Sequence, residues 1–127
     1  MWKKALPLLL APFFLGGCAA TFTNLSAQRQ VRNPNNLYPV EVALNTRQQS
    51  LRWDSIRAFV VVEDQSYEMR QTLLMKNRWE GLVPAPPHTN AVYYHYKFDF
   101  QYNAFGQPKS DSDSSPEYKL LILEKGK

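Results

Sequence analysis

The chain has one cysteine in 127 residues, two histidines, and an acidic complement too small to balance its bases. A single Cys excludes a disulfide framework within the chain and any zinc site built on a cysteine cluster. No G-x-S-x-G, Walker, Rossmann or H-E-x-x-H pattern occurs, so the common nucleophile, phosphate and zinc-protease signatures are missing. No apolar run is long enough to cross a bilayer. The longest, Ala5 to Leu15, has about 11 residues where a spanning helix needs about 20. What is present is 44% hydrophobic and 13% aromatic residues, too apolar for a disordered chain. The length fits one domain.

The amino terminus reads as a targeting segment. Lys3 and Lys4 precede the apolar run, which ends at Leu15-Gly16-Gly17-Cys18. Positive flank, short apolar core and small residues follow the order of a secretory signal. Pro7 and Pro12 suit that better than a stable helix interior.

Leu15-Gly16-Gly17-Cys18 resembles the lipobox of bacterial lipoproteins. The resemblance covers the first 18 residues. It implies removal of residues 1–17, diacylglyceryl transfer to the Cys18 sulfur and a lipid anchor on the new first residue. Ala19 follows where an Asp would imply inner-membrane retention, so the implied location is the bacterial outer membrane, on either its periplasmic or its surface face. One acyl chain holds weakly and two or more hold stably, at roughly 0.8 kcal/mol per buried methylene. Lys3 and Lys4 leave with the signal, so the formal charge falls from +4 to about +2. The basic pI then gives no indication of nucleic-acid binding.

Residues 18–37 read as a lipidated Cys and flexible tether. Ala19 to Leu37 is rich in Asn, Gln, Ser and Thr, and Asn33-Pro34-Asn35-Asn36 is dense in turn formers. Such a leash has an r.m.s. reach of roughly 25 Å and a full extension of about 65 Å. The competing expectation is a first strand within Phe22 to Val31.

Residues 38–127 read as all-β. Val40, Val42 and Leu44 alternate with Glu41, Ala43 and Asn45. Ile56, Ala58, Val60 and Val62 form a second set, with apolar Phe59 and Val61 on the other face, which predicts a central or partly covered strand. Glu63 to Ser66 is a polar break. Tyr67 to Met75 and Arg78 to Val83 read as strands, and Pro84-Ala85-Pro86-Pro87 as a loop. From Val92 to Tyr102 the large residues Val92, Tyr94, Tyr96, Phe98, Phe100 and Tyr102 share one face, the period-two pattern of a half-buried strand. Ala104 to Glu117 reads as a long mobile loop and Tyr118 to Leu123 as the closing strand. Six or seven strands with polar connections predict a two-sheet antiparallel sandwich.

The segment Asn90-Val92-Tyr94-Tyr96 is similar to the D-x-A-x-Y-x-C pattern of immunoglobulin-like domains, with Tyr96 in the Cys position. The resemblance implies a corner hydrogen bond from Tyr94. A transthyretin-like sandwich remains open as the other topology.

Candidate chemistry is sparse. His95 and Asp99 share a strand face but lie about 13 Å apart, too far for one metal ion. His88 sits in the proline-rich loop. Asp111-Ser112-Asp113-Ser114-Ser115 opens like a calcium loop, but Pro116 and Ile122 stand where Gly and Glu are needed. The expectation is no metal, no cofactor and no enzymatic activity. Trp53, Phe59, Trp79 and Tyr93 form the candidate binding surface, because flat aromatics stack on sugars or anchor proteins. The bland expectation is that Trp53 and Trp79 plug the ends of the sandwich. Two roles follow. One is a non-catalytic structural or assembly lipoprotein that contacts an envelope protein through an apolar patch or a free strand edge. The other is a binder of glycan or peptidoglycan fragments, in a groove with an aromatic floor.

Overall fold

A computed structural model describes residues 21–125. The signal segment and Cys18 lie outside the described residues. Ten strands follow in chain order: β1 (Thr21–Asn24), β2 (Arg29–Val31), β3 (Leu37–Asn45), β4 (Leu51–Val62), β5 (Gln65–Glu68), β6 (Arg70–Gln71), β7 (Arg78–Pro84), β8 (Ala91–Ala104), β9 (Gln107–Ser114) and β10 (Tyr118–Leu123). They form two sheets, in the orders β1-β3-β7-β6 and β2-β10-β8-β4-β5, with β9 also paired to β8.

The pairing is antiparallel except where β2 joins β10 in parallel. The orders match the A-B-E-D and G-F-C-C′ sheets of an immunoglobulin domain. The leading strand is divided between them, β1 on one sheet and β2 on the other. The topology that the sequence left open is therefore the immunoglobulin-like one.

The alternating residues supply the core. Val92, Tyr94, Tyr96 and Phe98 of β8 are buried, as are Val40 and Val42 of β3, Ala58, Val60 and Val62 of β4, and Leu120 and Ile122 of β10. Trp79 of β7 packs edge-on against Phe98, with ring centroids 5.1 Å apart at 88°. Such a pair contributes about 0.5–1.5 kcal/mol beyond the area it buries. Phe22 of β1 meets the same Phe98 ring at 5.2 Å.

Two reversals use left-handed backbone. Glu63 and Asp64 (φ 48° and 70°) join β4 to β5, and Phe105 and Gly106 (φ 53° and 78°) join β8 to β9. Positive φ at both central residues is what a two-residue hairpin with the right-handed strand twist requires.

Three segments differ from the sequence expectation. Thr21–Asn24 and Arg29–Val31 are strands, so the leash does not extend to Leu37. Their polar composition hid them because each is an edge strand with its outer side chains in solvent. Residues 104–117 are not a loop: β9 pairs with β8 from Lys97↔Ser114 to Ala104↔Gln107. This ribbon is exposed along β9, and a strand with no buried face has no hydrophobic period to read. The strand expected over Tyr67 to Met75 stops at Gln71. Met69 is buried where the chain leaves one sheet for the other, and residues 72–77 form a turn.

Pro39 sits inside β3 without breaking its sheet. Its carbonyl accepts from Gln30 Nε2 at 2.9 Å, so its nitrogen points to the side where β1 has already diverged. No ladder donor is lost there.

Candidate interaction surface

The four aromatics singled out in the sequence are not one surface. Trp79 is in the core, 3% exposed, and cannot meet a ligand. Its place in the alternation of β7 points it inward, opposite Val42. Trp53 is half-buried against the core, with Lys76 Nζ 4.8 Å above its ring. Phe59 and Tyr93 lie on the outer face of the second sheet. Arg57 covers the first at 5.3 Å and Lys119 the second at 5.7 Å. Phe59 is paired with Lys97, four residues along β8 from Tyr93, or roughly 13 Å.

The exposed apolar surface is elsewhere. On the outer face of the first sheet Leu37 pairs with Pro84 and Pro39 with Leu82, and Leu37 and Leu82 are 40% and 49% exposed. β6 pairs only Glu80 and Trp79. On the edge away from β3, no strand among the described residues pairs with β7 from Gly81 to Pro84. Tyr67 of β5 faces this gap. The result is a groove of about 800 Å³ lined by Leu37, Pro39, Tyr67 and Leu82, with Glu68, Arg70 and Glu80 at its margin. Leu37, Tyr67 and Pro84 also line an adjoining hollow of about 680 Å³ that reaches Pro86, Pro87 and Tyr93.

Sequence reasoning missed Leu37, Tyr67 and Leu82. The available signal was parity: Leu37 falls between the inward Tyr38 and Val40 set and the turn before it, and Leu82 is an outward leucine beside the inward Val83.

No family model matches the chain and no curated protein matches its sequence. A solved structure of a DUF4785 family protein from Legionella pneumophila subsp. pneumophila str. Philadelphia 1 is similar to it, at 12% identity and a TM-score of 0.46. The match covers 82% of this chain and 28% of that one.

The polar groups inside the sandwich serve the fold. The Tyr96 hydroxyl donates to Asn24 Oδ1 at 2.6 Å, receives Ser26 Oγ at 3.0 Å and lies 3.3 Å from the Glu41 carbonyl on β3. Burial pushes the Tyr96 phenol well above its ordinary range, and the Ser26 contact opposes that shift. Tyr94 does not make the expected corner bond. Its hydroxyl accepts from Asn24 Nδ2 at 2.9 Å, 70 residues away, because β1 and the residues after it cover that end of the strand. Arg32 chelates Glu124 at 2.7–3.1 Å and donates to the Thr89 carbonyl and Asn90. That arrangement holds the Glu124 carboxyl below its usual range and ties β2 to the end of β10.

His95 and Asp99 remain on the outer sheet face, and His88 is exposed in its loop. Asp111 and Asp113 lie on β9 and accept from the backbone amides of Ser112 and Ser114, at 2.8 and 2.9 Å. They belong to a strand rather than a calcium loop. Among the described residues no group of three or more His, Cys, Asp or Glu side chains is placed to hold a metal ion.

Proposed function

We propose that this chain is a lipid-anchored bacterial envelope protein, held on the outer membrane through Cys18, with a non-catalytic assembly role. Its sandwich docks an extended apolar segment of a partner protein in the groove of Leu37, Tyr67 and Leu82. The observation that carries this reading is the groove itself: three exposed large side chains beside an uncovered length of β7 backbone. Extended segments add to such edges through main-chain hydrogen bonds, and flanking apolar pockets select alternate side chains. Apolar side chains gathered beside polar neighbours mark interaction sites more often than isolated surface leucines do. Glycan binding is the alternative. It keeps only Tyr67 as an exposed ring within the groove, since Trp79 is packed on Phe98.

The test is position-specific photocrosslinking in intact cells. A benzoyl-phenylalanine at position 82 or 37 gives a discrete protein adduct, and one at Arg29, on the opposite sheet, does not. Equal labelling at all three positions, or Tyr67-dependent retention of peptidoglycan fragments with no protein adduct, overturns the assembly reading. For the anchor, Cys18→Ala leaves an unprocessed precursor. Normal cleavage of that variant contradicts it.

A further inference from the structure

The short distance between Cys18 and the first strand fixes which end of the sandwich meets the membrane. β1 begins at Thr21, and only Ala19 and Ala20 separate it from Cys18. Three residue steps span at most about 11 Å. A domain anchored at Cys18 therefore rests on the bilayer by the Thr21 end of β1.

The register identifies what else is at that end. Thr21 pairs with Asn45, the last residue of β3, so the turn of residues 46–50 is there. Asn77 bonds the Leu44 backbone, which places the turn of residues 72–77 there. Leu51, the first residue of β4, pairs with Tyr102, so the β8–β9 reversal at Phe105 and Gly106 projects from the same end. At about 3.3 Å per residue this reversal stands roughly 20 Å beyond Phe98, whose ring touches Phe22.

These turns present large apolar side chains to solvent. Leu73 is 82% exposed, Leu74 is 94% exposed, and Phe105 is fully exposed. Leu74 and Phe105 moreover have positive φ, 65° and 53°, where Gly, Asn or Asp is favoured. Neither the hairpin nor the turn accounts for a bulky apolar residue at such a position.

The same end carries an excess of basic side chains. Arg47, Arg52, Lys76 and Lys109 are exposed around these turns, and none has an ion-pair partner among the described residues. Asp54 and Asp111 are exposed acids near them. Glu63, Asp64, Glu117 and Glu124 lie toward the opposite end, where Arg29, Arg32, Lys119 and Lys125 balance them. Trp53, beneath Lys76, has the amphipathic character of an interfacial tryptophan.

We propose that the Thr21 end is a membrane-docking face, in which Leu73, Leu74 and Phe105 enter the headgroup–acyl boundary of an anionic bilayer and Arg47, Arg52, Lys76 and Lys109 meet its phosphates. Amphipathic surfaces that bind in the interface bury their apolar groups about 5–10 Å deep, and basic side chains add attraction to anionic lipid within a Debye length. The domain is then oriented rather than swung on a leash. Its Leu37–Leu82 groove lies toward the start of β3, away from the bilayer, and stays open to a partner. The inference rests on the Cys18 anchor.

The experiment uses the full chain, produced with its signal and reconstituted in vesicles of phosphatidylethanolamine with phosphatidylglycerol. Single variants Leu74→Cys, Phe105→Cys and, at the far end, Asp64→Cys are labelled with an environment-sensitive nitrobenzoxadiazole. Labels at 74 and 105 shift to the blue and are quenched by brominated acyl chains, and the label at 64 does neither. Replacing Arg47 and Lys76 by Glu reduces the shift at 105. A label at 105 as water-exposed as that at 64, in a chain whose intact mass carries the acyl groups, overturns the docking face while leaving the anchor in place. A chain recovered at unacylated mass overturns the anchor and this inference with it.

Discussion

The hydroxyl of Tyr96 donates to Asn24 Oδ1 at 2.6 Å, across 72 residues of sequence. Asn24 in turn donates through its Nδ2 to Tyr94, while Ser26 accepts the Glu41 amide at 2.7 Å and contacts Tyr96 at 3.0 Å. Tyr96 occupies the place of the cysteine that joins the two sheets in many immunoglobulin domains. Here a buried phenol reaches the backbone of β3 through a hydrogen-bonded cluster that includes the first strand. The rings of Tyr94, Tyr96 and Tyr118 pack around it with centroids 5.7–5.8 Å apart.

Tyr96→Phe keeps the ring and removes the bridge. Asn24 Oδ1 loses its shortest partner and keeps the Ser26 amide at 3.2 Å, and the net loss of one hydrogen bond costs about 0.5–1.5 kcal/mol. Urea denaturation should show a fall of that size with an unchanged m-value. A loss below about 0.5 kcal/mol would mean that water replaces the hydroxyl.

The same phenol makes stability pH-dependent. Its folded pKa is raised above the unfolded value of about 10. Stability from this group is therefore complete below about pH 10 and declines above it, because the unfolded chain releases the proton first. Thermal melts between pH 8 and 11 should fall more steeply for the native chain than for Tyr96→Phe.

Gly81 is required by Met69. A Cβ at Gly81 would stand 2.9 Å from Met69 Cγ, at the point where the chain crosses from one sheet to the other. Gly81→Ala should destabilise by about 1–3 kcal/mol, the usual range for overpacking. Part of this loss should vanish in a Met69→Ala background, a non-additivity that a double-mutant cycle measures.

Trp79 and Tyr93 separate packing from surface. Trp79→Ala should cost about 3–5 kcal/mol, as for other buried aromatic truncations. Tyr93, 52% exposed, should change stability by no more than about 0.5 kcal/mol when truncated to Ala. Equal effects in chemical denaturation would contradict the placement of Trp79.

Leu82→Arg tests the groove without touching the core. Stability should stay within about 0.5 kcal/mol, since the side chain faces solvent, while partner crosslinking from position 37 falls at least severalfold.

Legibility followed burial. β8 was readable over Val92 to Tyr102 because one face packs on the core and the other meets water. β3, β4 and β10 were readable for the same reason. β1, β2 and β9 were not: their side chains lie at edges or on a projecting ribbon, and their pairing energy comes from backbone groups that every sequence possesses. The aromatic quartet failed as a site for a related reason. Composition shows that Trp79 is large and apolar, but only its parity on β7 shows that it points at Phe98.

The sequence alone determined the all-β class, the two-sheet core and the inward register of its longest strand, because period-two alternation is a local consequence of the pleat. The tertiary structure decided the rest. It assigned strand order, brought Asn24 to Tyr96, left Leu37, Tyr67 and Leu82 uncovered, and gathered Leu73, Leu74 and Phe105 at one end. These depend on which strands lie side by side, and neighbours in space that are 30 to 80 residues apart in the chain leave no mark on each other's local pattern.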